Sequence, residues 1–323
     1  MRGDAVSERE HASRMDLSVI IPTRNGGTTL RRTIEYLQRQ DAPGDRFEIV
    51  VVDDGSTDGS TAGLDAPHDR VPVRIMTQRN EGRAVARNRG AAEARGRVLL
   101  FLDADMWAQP GLIAAHMAHH RTVQALGVQG RSIQHPDTLK TVYMRATNLI
   151  PDLTIRRRRN LAPVHVITRN FSVSASAFRA VGGFDEGFVG YGWEDMELGL
   201  RLRQADVPLW YEPTASAYHH HIQTLEEFLL KIREAGAGAV YFWRRHDRAR
   251  WLGIFLEIAP VLLPLKWLVY RTRIFTSVVE VVRPWAERRA LLPLCSECYN
   301  HLIWRSYYDG VFAALRSTID PSA

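Results

Sequence analysis

Three clusters of carboxylates stand where this chain could do chemistry. Asp53-Asp54-Gly55-Ser56 follows the largely apolar residues 47–52, and Asp103-Ala104-Asp105 follows the more apolar residues 98–102. Glu194-Asp195 opens a helix-like stretch behind Gly190-Tyr191-Gly192-Trp193. Apolar strands that run into paired acids are costly to bury unless the acids hold something polar or cationic. In an open α/β sheet, ligands bind at the carboxyl ends of the strands. A metal-bound nucleotide and a reacting hydroxyl would account for all three clusters.

The elements that must position these acids follow from periodicity. Residues 17–21 read as a buried strand, stopped by Pro22 and the turn-prone Asn25-Gly26-Gly27. Thr28 or Thr29 is placed to cap a helix in which Leu30, Ile34 and Leu37 recur at helical spacing. Further strands are expected at 48–52, 71–77 and 98–102, with a helix over 81–94. Apolar strands alternating with helices indicate a parallel sheet covered on both faces. Beyond Pro110 the spacing predicts a helix at 111–124, strands at 127–133 and 171–175, and a helix at 194–205. Short strands at 209–211 and 215–218 lead into His219-His220-His221. Arg156 to Arg159 is expected in a mobile loop.

A length of 323 residues suits one large domain, or one domain with an appendage. The net charge is +6, with lysine only at 140, 231 and 266. That arginine bias reads as a GC-rich bacterial genome, and no nucleic-acid partner is expected. Two cysteines, Cys295 and Cys298, exclude a disulfide framework and fit a reducing cytoplasm. Their spacing lacks the second pair a metal site would need, so they read as ordinary helical cysteines. Residues 1–15 are polar and read as a disordered leader, neither signal peptide nor anchor.

From residue 224 the character changes. Residues 225–246 are helical and amphipathic, and 251–270 are strongly apolar but broken by Glu257, Pro260, Pro264 and Lys266. Two prolines and two charges argue against a clean membrane span. Arg244, Arg245, Arg248 and Arg250 precede this run, and Arg271 and Arg273 follow it. Peripheral membrane contact through 244–273 is one reading. A helical hairpin packed on the rest of the chain, or on a second copy in a homo-oligomer, is the other. The location expected is cytoplasmic, or peripheral on the inner face of the cell membrane.

Six motifs in order resemble family 2 glycosyltransferases. They are Ser18 to Asn25; Val52-Asp53-Asp54-Gly55-Ser56-Thr57-Asp58; and Asn80-Glu81-Gly82-Arg83 with Ala86-Arg87-Asn88. Phe101-Leu102-Asp103-Ala104-Asp105, Gly182-Gly183-Phe184-Asp185-Glu186 and Gly190 to Leu198 complete the set. The last looks most like galactosyl- and N-acetylgalactosaminyl-transferring and chondroitin-polymerase-type domains. The resemblance covers residues 17–221. It implies an α/β GT-A nucleotide-sugar transferase fold, a mostly parallel Rossmann-like sheet flanked by helices, with a C-terminal helical extension. The division expected is a leader over 1–15, a catalytic domain over 16–223 and a helical region over 224–323.

The resemblance also implies roles. Pro22, Thr23, Arg24 and Asn25 line the nucleotide edge, with Arg24 standing where an aromatic is often found. Asp53 or Asp54 accepts the imide N–H of uracil, a donor that suits an acceptor-only carboxylate. Arg83 and Arg87 reach the diphosphate or fix the aspartates. Strand alternation would send Asp103 and Asp105 to the same side. Asp105 is the metal ligand, Asp103 serves the ribose or a metal-bound water, and Ala104 lies between them against the nucleotide-sugar. His219, with His221 on the same face, completes a site for Mn²⁺ or Mg²⁺, and imidazole favours Mn²⁺. Trp193 and Gly192 meet the acceptor, Asp195 is the general base of an inverting transfer, and Glu194 orients the acceptor.

The activity expected is transfer of a sugar from a UDP-sugar to a hydroxyl of a saccharide, glycolipid, peptide or metabolite. A membrane-associated polyprenyl-phosphate sugar transferase is the alternative, motivated by the basic, apolar C-terminal segment. A nucleotidyltransferase would show a Gly-rich loop and a lysine after the first strand, and the chain has neither. A non-catalytic nucleotide-sugar-binding homologue would be expected to lack Asp105 or Asp195, and both are present.

Overall fold

The computed structural model describes residues 15–42, 44, 46–64, 70–147 and 159–317. The leader expected over 1–15, apart from its last residue, and Arg156 to Arg158 lie outside the described residues. The chain divides into two compact units. The first comprises the described residues within 1–135, 154–186 and 194–221; the second those within 136–153, 187–193 and 222–323.

In the first unit the order is β1 (Leu17–Thr23), α1 (Gly27–Gln38), β2 (Phe47–Asp54), β3 (Val73–Gln78), α2 (Arg83–Glu93), β4 (Val98–Leu102) and β5 (Met106–Ala108). Then come α3 (Leu112–His120) and β6 (Gly127–Gln134). In the second unit α4 is Val142–Thr147. The first unit resumes with β7 (Asn170–Ser174), α5 (Ala175–Ala180), α6 (Glu194–Gln204) and β8 (Leu209–His219). The second continues with α7 (Leu225–Arg245), α8 (Arg250–Phe255), α9 (Leu263–Arg271), α10 (Arg273–Arg288) and α11 (Leu292–Arg316).

One sheet of eight strands runs in the order β3-β2-β1-β4-β7-β6-β8-β5. The β3-β2-β1-β4 half is parallel throughout. Beyond it β7 is antiparallel to both β4 and β6, β8 is parallel to β6, and β5 is antiparallel to β8. Strand alternation explains why the parallel strands are apolar on both sides. Leu17, Val19 and Ile21 pack with Leu30, Ile34 and Ile113 on one face. Ile20, Leu99 and Phe101 pack with Phe178, Phe184 and Leu198 on the other. Buried Glu48 is an exception held by three donors: Ser18 Oγ at 2.8 Å, Arg95 N at 2.8 Å and Arg74 at 3.1 Å.

Several local details differ from the sequence reading. Helix α1 already begins at Gly27, with Gly26 at its N-cap, so neither Thr28 nor Thr29 caps it. The strands expected at 209–211 and 215–218 are one strand, β8, whose pairing with β6 jumps from Glu212 to Ser216 between Gly130 and Arg131. Pro213 lies in this irregularity, where its missing N–H costs the ladder nothing. Residues 103–105 are a turn and not strand, closed by Met106 N, at the start of β5, donating to the Asp103 carbonyl at 3.1 Å.

The second unit is helical. Thr224 starts α7 with a capping box: Glu227 N donates to Thr224 Oγ1, and Thr224 N donates to the Glu227 carboxylate. Leu225, Tyr143, Ala286, Cys295 and Tyr299 form its core. Helices α7 and α11 touch backbone to backbone, because a Cβ at Gly236 would stand 2.0 Å from the Tyr307 carbonyl oxygen. Cys295 and Cys298 are buried and free. The apolar run 251–270 forms two short helices, and among the described residues no helix is long and apolar enough to cross a membrane.

Candidate active site and metal centre

The site in the first unit is built at the carboxyl ends of the parallel strands. Register places Thr23 beside Asp53, so the loops after β1 and β2 meet. Asn25, held at φ 54°, donates its N–H to Ser56 Oγ at 2.8 Å and accepts from Thr57 N at 2.8 Å. Pro22 is half-buried, Arg24 is exposed, and buried Thr23 has no partner for its hydroxyl.

The two acids of this edge do different work. Asp53 accepts from Ser56 N at 2.8 Å and Thr61 Oγ1 at 3.0 Å. Asp54 takes Gln78 Nε2 and Glu81 N, each at 2.8 Å, and Gly82 N at 3.0 Å. Asp54 therefore fixes the loop that starts α2. With roughly four acceptor positions on a carboxylate, Asp53 keeps more of its capacity free.

Because residues 103–105 turn, their two acids face different partners. The Arg87 guanidinium, 3% exposed, bonds Asp103 Oδ1 at 2.9 Å and Glu194 Oε1 at 3.1 Å. It lies 3.7 Å from Asp195 Oδ1. Burial alone would lower Arg87, but Asp103, Asp195 and Glu194 together hold it above its ordinary value. Arg83, more exposed, stands 3.9 Å from Glu194. Burial and then neighbouring Asp195 push the Glu194 carboxyl up, since a guanidinium shared among three acids offsets only part of the cost. Its Oε2 is buried without a partner.

Asp195 lies in the first turn of α6, where the helix N-terminus favours an acid. Thr168 holds it with two donors, N–H at 3.1 Å and its hydroxyl. Neither Thr168 nor Arg169 is distinguished in the sequence reading. Arg169 precedes β7, whose pairing with β4 brings its carbonyl to Asp103 N at 3.3 Å, and its Nε is buried without a partner. Pairing of residues 98–102 with 170–174 is the signal that would have found both. Antiparallel partners so far apart in sequence carry no local mark.

Asp105 faces the histidines. Pairing of Met106 with His219, and His220 N donating to the Asp105 carbonyl at 2.9 Å, fix the end of β8 against this turn. Asp105 Oδ2 lies 3.0 Å from His221 Nδ1 and 3.5 Å from His219 Nε2. The two rings are stacked, with centroids 5.5 Å apart. Burial would raise the Asp105 carboxyl, but hydrogen bonds from His219 and His221 hold it well below the carboxylate range. The ligand atoms of these three residues lie within 4.8 Å of one another, and Asp105 Oδ1 is buried with no partner. One carboxylate and two imidazoles with an unmatched acceptor fit a divalent cation. Ala104, between the acids, gives its carbonyl to Thr33 at 2.8 Å.

Gly192 and Trp193 belong to the second unit. Trp193 is held at φ 77°, a left-handed conformation that a bulky residue adopts only under constraint. Its indole N–H donates to the Ala235 carbonyl at 2.7 Å, and a Cβ at Gly192 would stand 3.4 Å from the Ala235 Cβ.

This set of strand-end acids coincides with a known sequence profile, that of Glycosyl transferase family 2, which matches residues 18–182. The chain belongs to glycosyl transferase family 2. A second profile, the N-terminal domain of galactosyltransferase, matches residues 164–223, which include Asp195, His219 and His221. Among curated proteins, validoxylamine A glucosyltransferase of Streptomyces hygroscopicus subsp. limoneus is 32% identical over 293 residues, covering 81% of this chain. The chain spans 61% of that relative's length. Among solved structures, a mannosyltransferase of Pyrobaculum calidifontis in complex with GDP-Man and Mn²⁺ superposes with TM-score 0.57 at 16% identity, over 92% of this chain and 87% of that one. TarS 1-349 of S. aureus in complex with UDP-GlcNAc gives 0.53 at 15%, over 92% and 90%. At such identities the likeness is one of fold, and the fold is GT-A.

Proposed function

We propose that this family 2 chain is a metal-dependent, inverting glycosyltransferase that moves a sugar from a UDP-sugar to a hydroxyl acceptor. One observation carries the reading: a single turn after β4 holds Asp103 in the Arg87–Glu194–Asp195 network and Asp105 against His219 and His221. Asp105, His219 and His221 would hold the cation, which when bound supplies positive charge to the leaving diphosphate. The mixed oxygen and nitrogen donors favour Mn²⁺ over Mg²⁺.

Asp53, with acceptor capacity to spare, receives the imide N–H of uracil, and Pro22, Thr23, Arg24 and Asn25 border the base and ribose. Asp54 supports this edge by fixing the loop to α2. Arg83, half exposed, meets the diphosphate, and Asp103 the ribose beside Ala104. Asp195, aimed by Thr168, takes the proton of the acceptor hydroxyl. That oxygen attacks the anomeric carbon from the face opposite the diphosphate, the bond from the anomeric carbon to the diphosphate oxygen breaks, and the configuration inverts. Glu194 acts through Arg87, keeping the guanidinium between Asp103 and Asp195. The place given to Trp193 and Gly192 against the acceptor rests on their position just before Glu194 in the chain.

The test is thermal shift of the full chain with UDP-, GDP- and TDP-sugars, with and without Mn²⁺, UDP-glucose first given the name of the 32% identical relative. A ligand that binds the native state raises its melting temperature by mass action. Stabilisation by a UDP-sugar only with Mn²⁺ is expected. A shift with GDP-sugars alone overturns the role of Asp53 toward uracil. A shift with TDP-sugars alone keeps an imide N–H for Asp53 but overturns UDP as the carrier, and a UDP-sugar shift indifferent to metal overturns the role of Asp105.

A further inference from the structure

The second unit leaves large apolar side chains exposed on three successive helices. On α10, Phe275, Val278, Val281 and Trp285 recur three or four residues apart, so they share one face of the helix, and they are 46–75% exposed. Thr276 and Ala286, on the neighbouring arc, are buried. Thus α10 buries only one edge of a wide apolar arc and presents the rest outward. Helix α9 repeats the pattern with Leu265, Trp267 and Leu268, and α8 with Trp251 and Phe255. Exposed apolar residues scattered singly are ordinary, but three successive helices showing such faces mark an interaction surface.

Charge decides what covers it. Between residues 244 and 289 the chain carries ten basic and four acidic side chains. Arg248, Arg250, Arg273, Arg288 and Arg289 are exposed at or near the ends of these helices. A second copy docking by the same face would bring the same positive excess against it. An anionic lipid surface brings the opposite sign and attracts the basic residues held near it. Three half-exposed indoles, Trp251, Trp267 and Trp285, are the side chains that favour the headgroup layer. Helices this short cannot span a bilayer, so they lie in its interface.

We propose that α8, α9 and α10 form an interfacial anchor that seats this protein on an anionic bilayer. One of the two readings of the sequence puts such contact within 244–273; the exposed face of α10 extends it to Trp285. The proposal is independent of the nucleotide-sugar reading.

The test is flotation of the full chain with phosphatidylcholine vesicles, with and without phosphatidylglycerol, beside light scattering of the lipid-free protein. Val281→Glu/Trp285→Glu alters only exposed side chains, and an unchanged melting temperature verifies its fold. Wild type should float with phosphatidylglycerol vesicles, lose binding as salt rises, and show a blue-shifted tryptophan emission; the variant should bind at least about tenfold more weakly. Three outcomes overturn the proposal: no flotation of the wild type, equal flotation of the variant, or a lipid-free dimer that the variant dissociates while vesicles are ignored.

Discussion

Arg87 and Glu194 meet at 3.1 Å, each side chain under 5% exposed, and the same guanidinium reaches Asp103 at 2.9 Å. Helix α2 and helix α6, more than 100 residues apart in sequence, are thereby joined beneath the strand-end turn. Removing one partner of a buried pair strands the other charge. Arg87→Ala should destabilise by about 3–5 kcal/mol in chemical denaturation. Arg83→Ala, more exposed and 3.9 Å from Glu194, should cost under about 1 kcal/mol. Equal effects would show that the network is not organised around Arg87.

Asp105 is expected to anchor metal binding. Asp105→Ala, His219→Ala and His221→Ala should each weaken Mn²⁺ binding in calorimetry by at least about tenfold, the lower end seen when even an outer partner of a metal ligand is removed. Mn²⁺ affinity unchanged in Asp105→Ala would remove this triad from the metal site.

Asp195→Asn tests the base. The substitution keeps a side-chain oxygen for Thr168 but cannot take a proton at neutral pH. Transfer should fall by at least about 100-fold, in keeping with general-base contributions. UDP binding should stay within a few-fold of wild type. Thr168→Val should lower kcat while leaving the KM for the donor nearly unchanged, since it disturbs only the aim of Asp195. Residual transfer near wild type in Asp195→Asn would assign the proton to another group.

The parallel half of the sheet was legible because strands buried on both faces must be apolar throughout, as residues 49–52 and 98–102 are. The acids at their ends stood out for the same reason. What sequence could not show was which way each acid turns. Alternation sends Asp103 and Asp105 to one side, whereas the turn closed by Met106 N separates them. Asp53 and Asp54 are equivalent as letters, and only the loop from Gln78 to Gly82 distinguishes them. Thr168 and Arg169 were invisible because long-range antiparallel pairing places them. The interfacial face of α10 was likewise hidden. Only the packing, which buries Thr276 and Ala286 and leaves Phe275, Val278, Val281 and Trp285 exposed, shows which edge of the arc is covered.

Two histidines on α3 make stability depend on pH. His116 bonds Ser172 at 2.9 Å and Asn170 at 3.0 Å, and His120 bonds Ser172 at 2.8 Å. Burial lowers His116 from 6.5 to about 4 and His120 to about 3. Both are neutral in the folded chain, whereas the unfolded chain takes up protons below pH 6.5. Stability from this source is complete above 6.5 and is lost as pH falls toward 4 and 3. The slope approaches about 1.4 kcal/mol per pH unit for each histidine. Urea denaturation at successive pH values should therefore show a flatter acid limb for His116→Gln/His120→Gln than for wild type. Parallel limbs would mean that neither histidine stays neutral.

The close approach of α7 and α11 sets a last prediction. A Cβ at Gly310 would lie 1.9 Å from the Arg233 carbonyl oxygen, and one at Gly236 2.0 Å from that of Tyr307. Alanine in place of glycine within a helix ordinarily stabilises by roughly 0.5–1 kcal/mol. Here that gain is opposed by backbone that cannot move aside without parting the two helices, and overpacking costs about 1–3 kcal/mol. Gly236→Ala and Gly310→Ala should each lower the melting temperature. The double variant should lose less than the sum, because the first substitution already separates the contact that the second would strain. A rise in melting temperature for either single variant would show that the helices do not meet at these glycines.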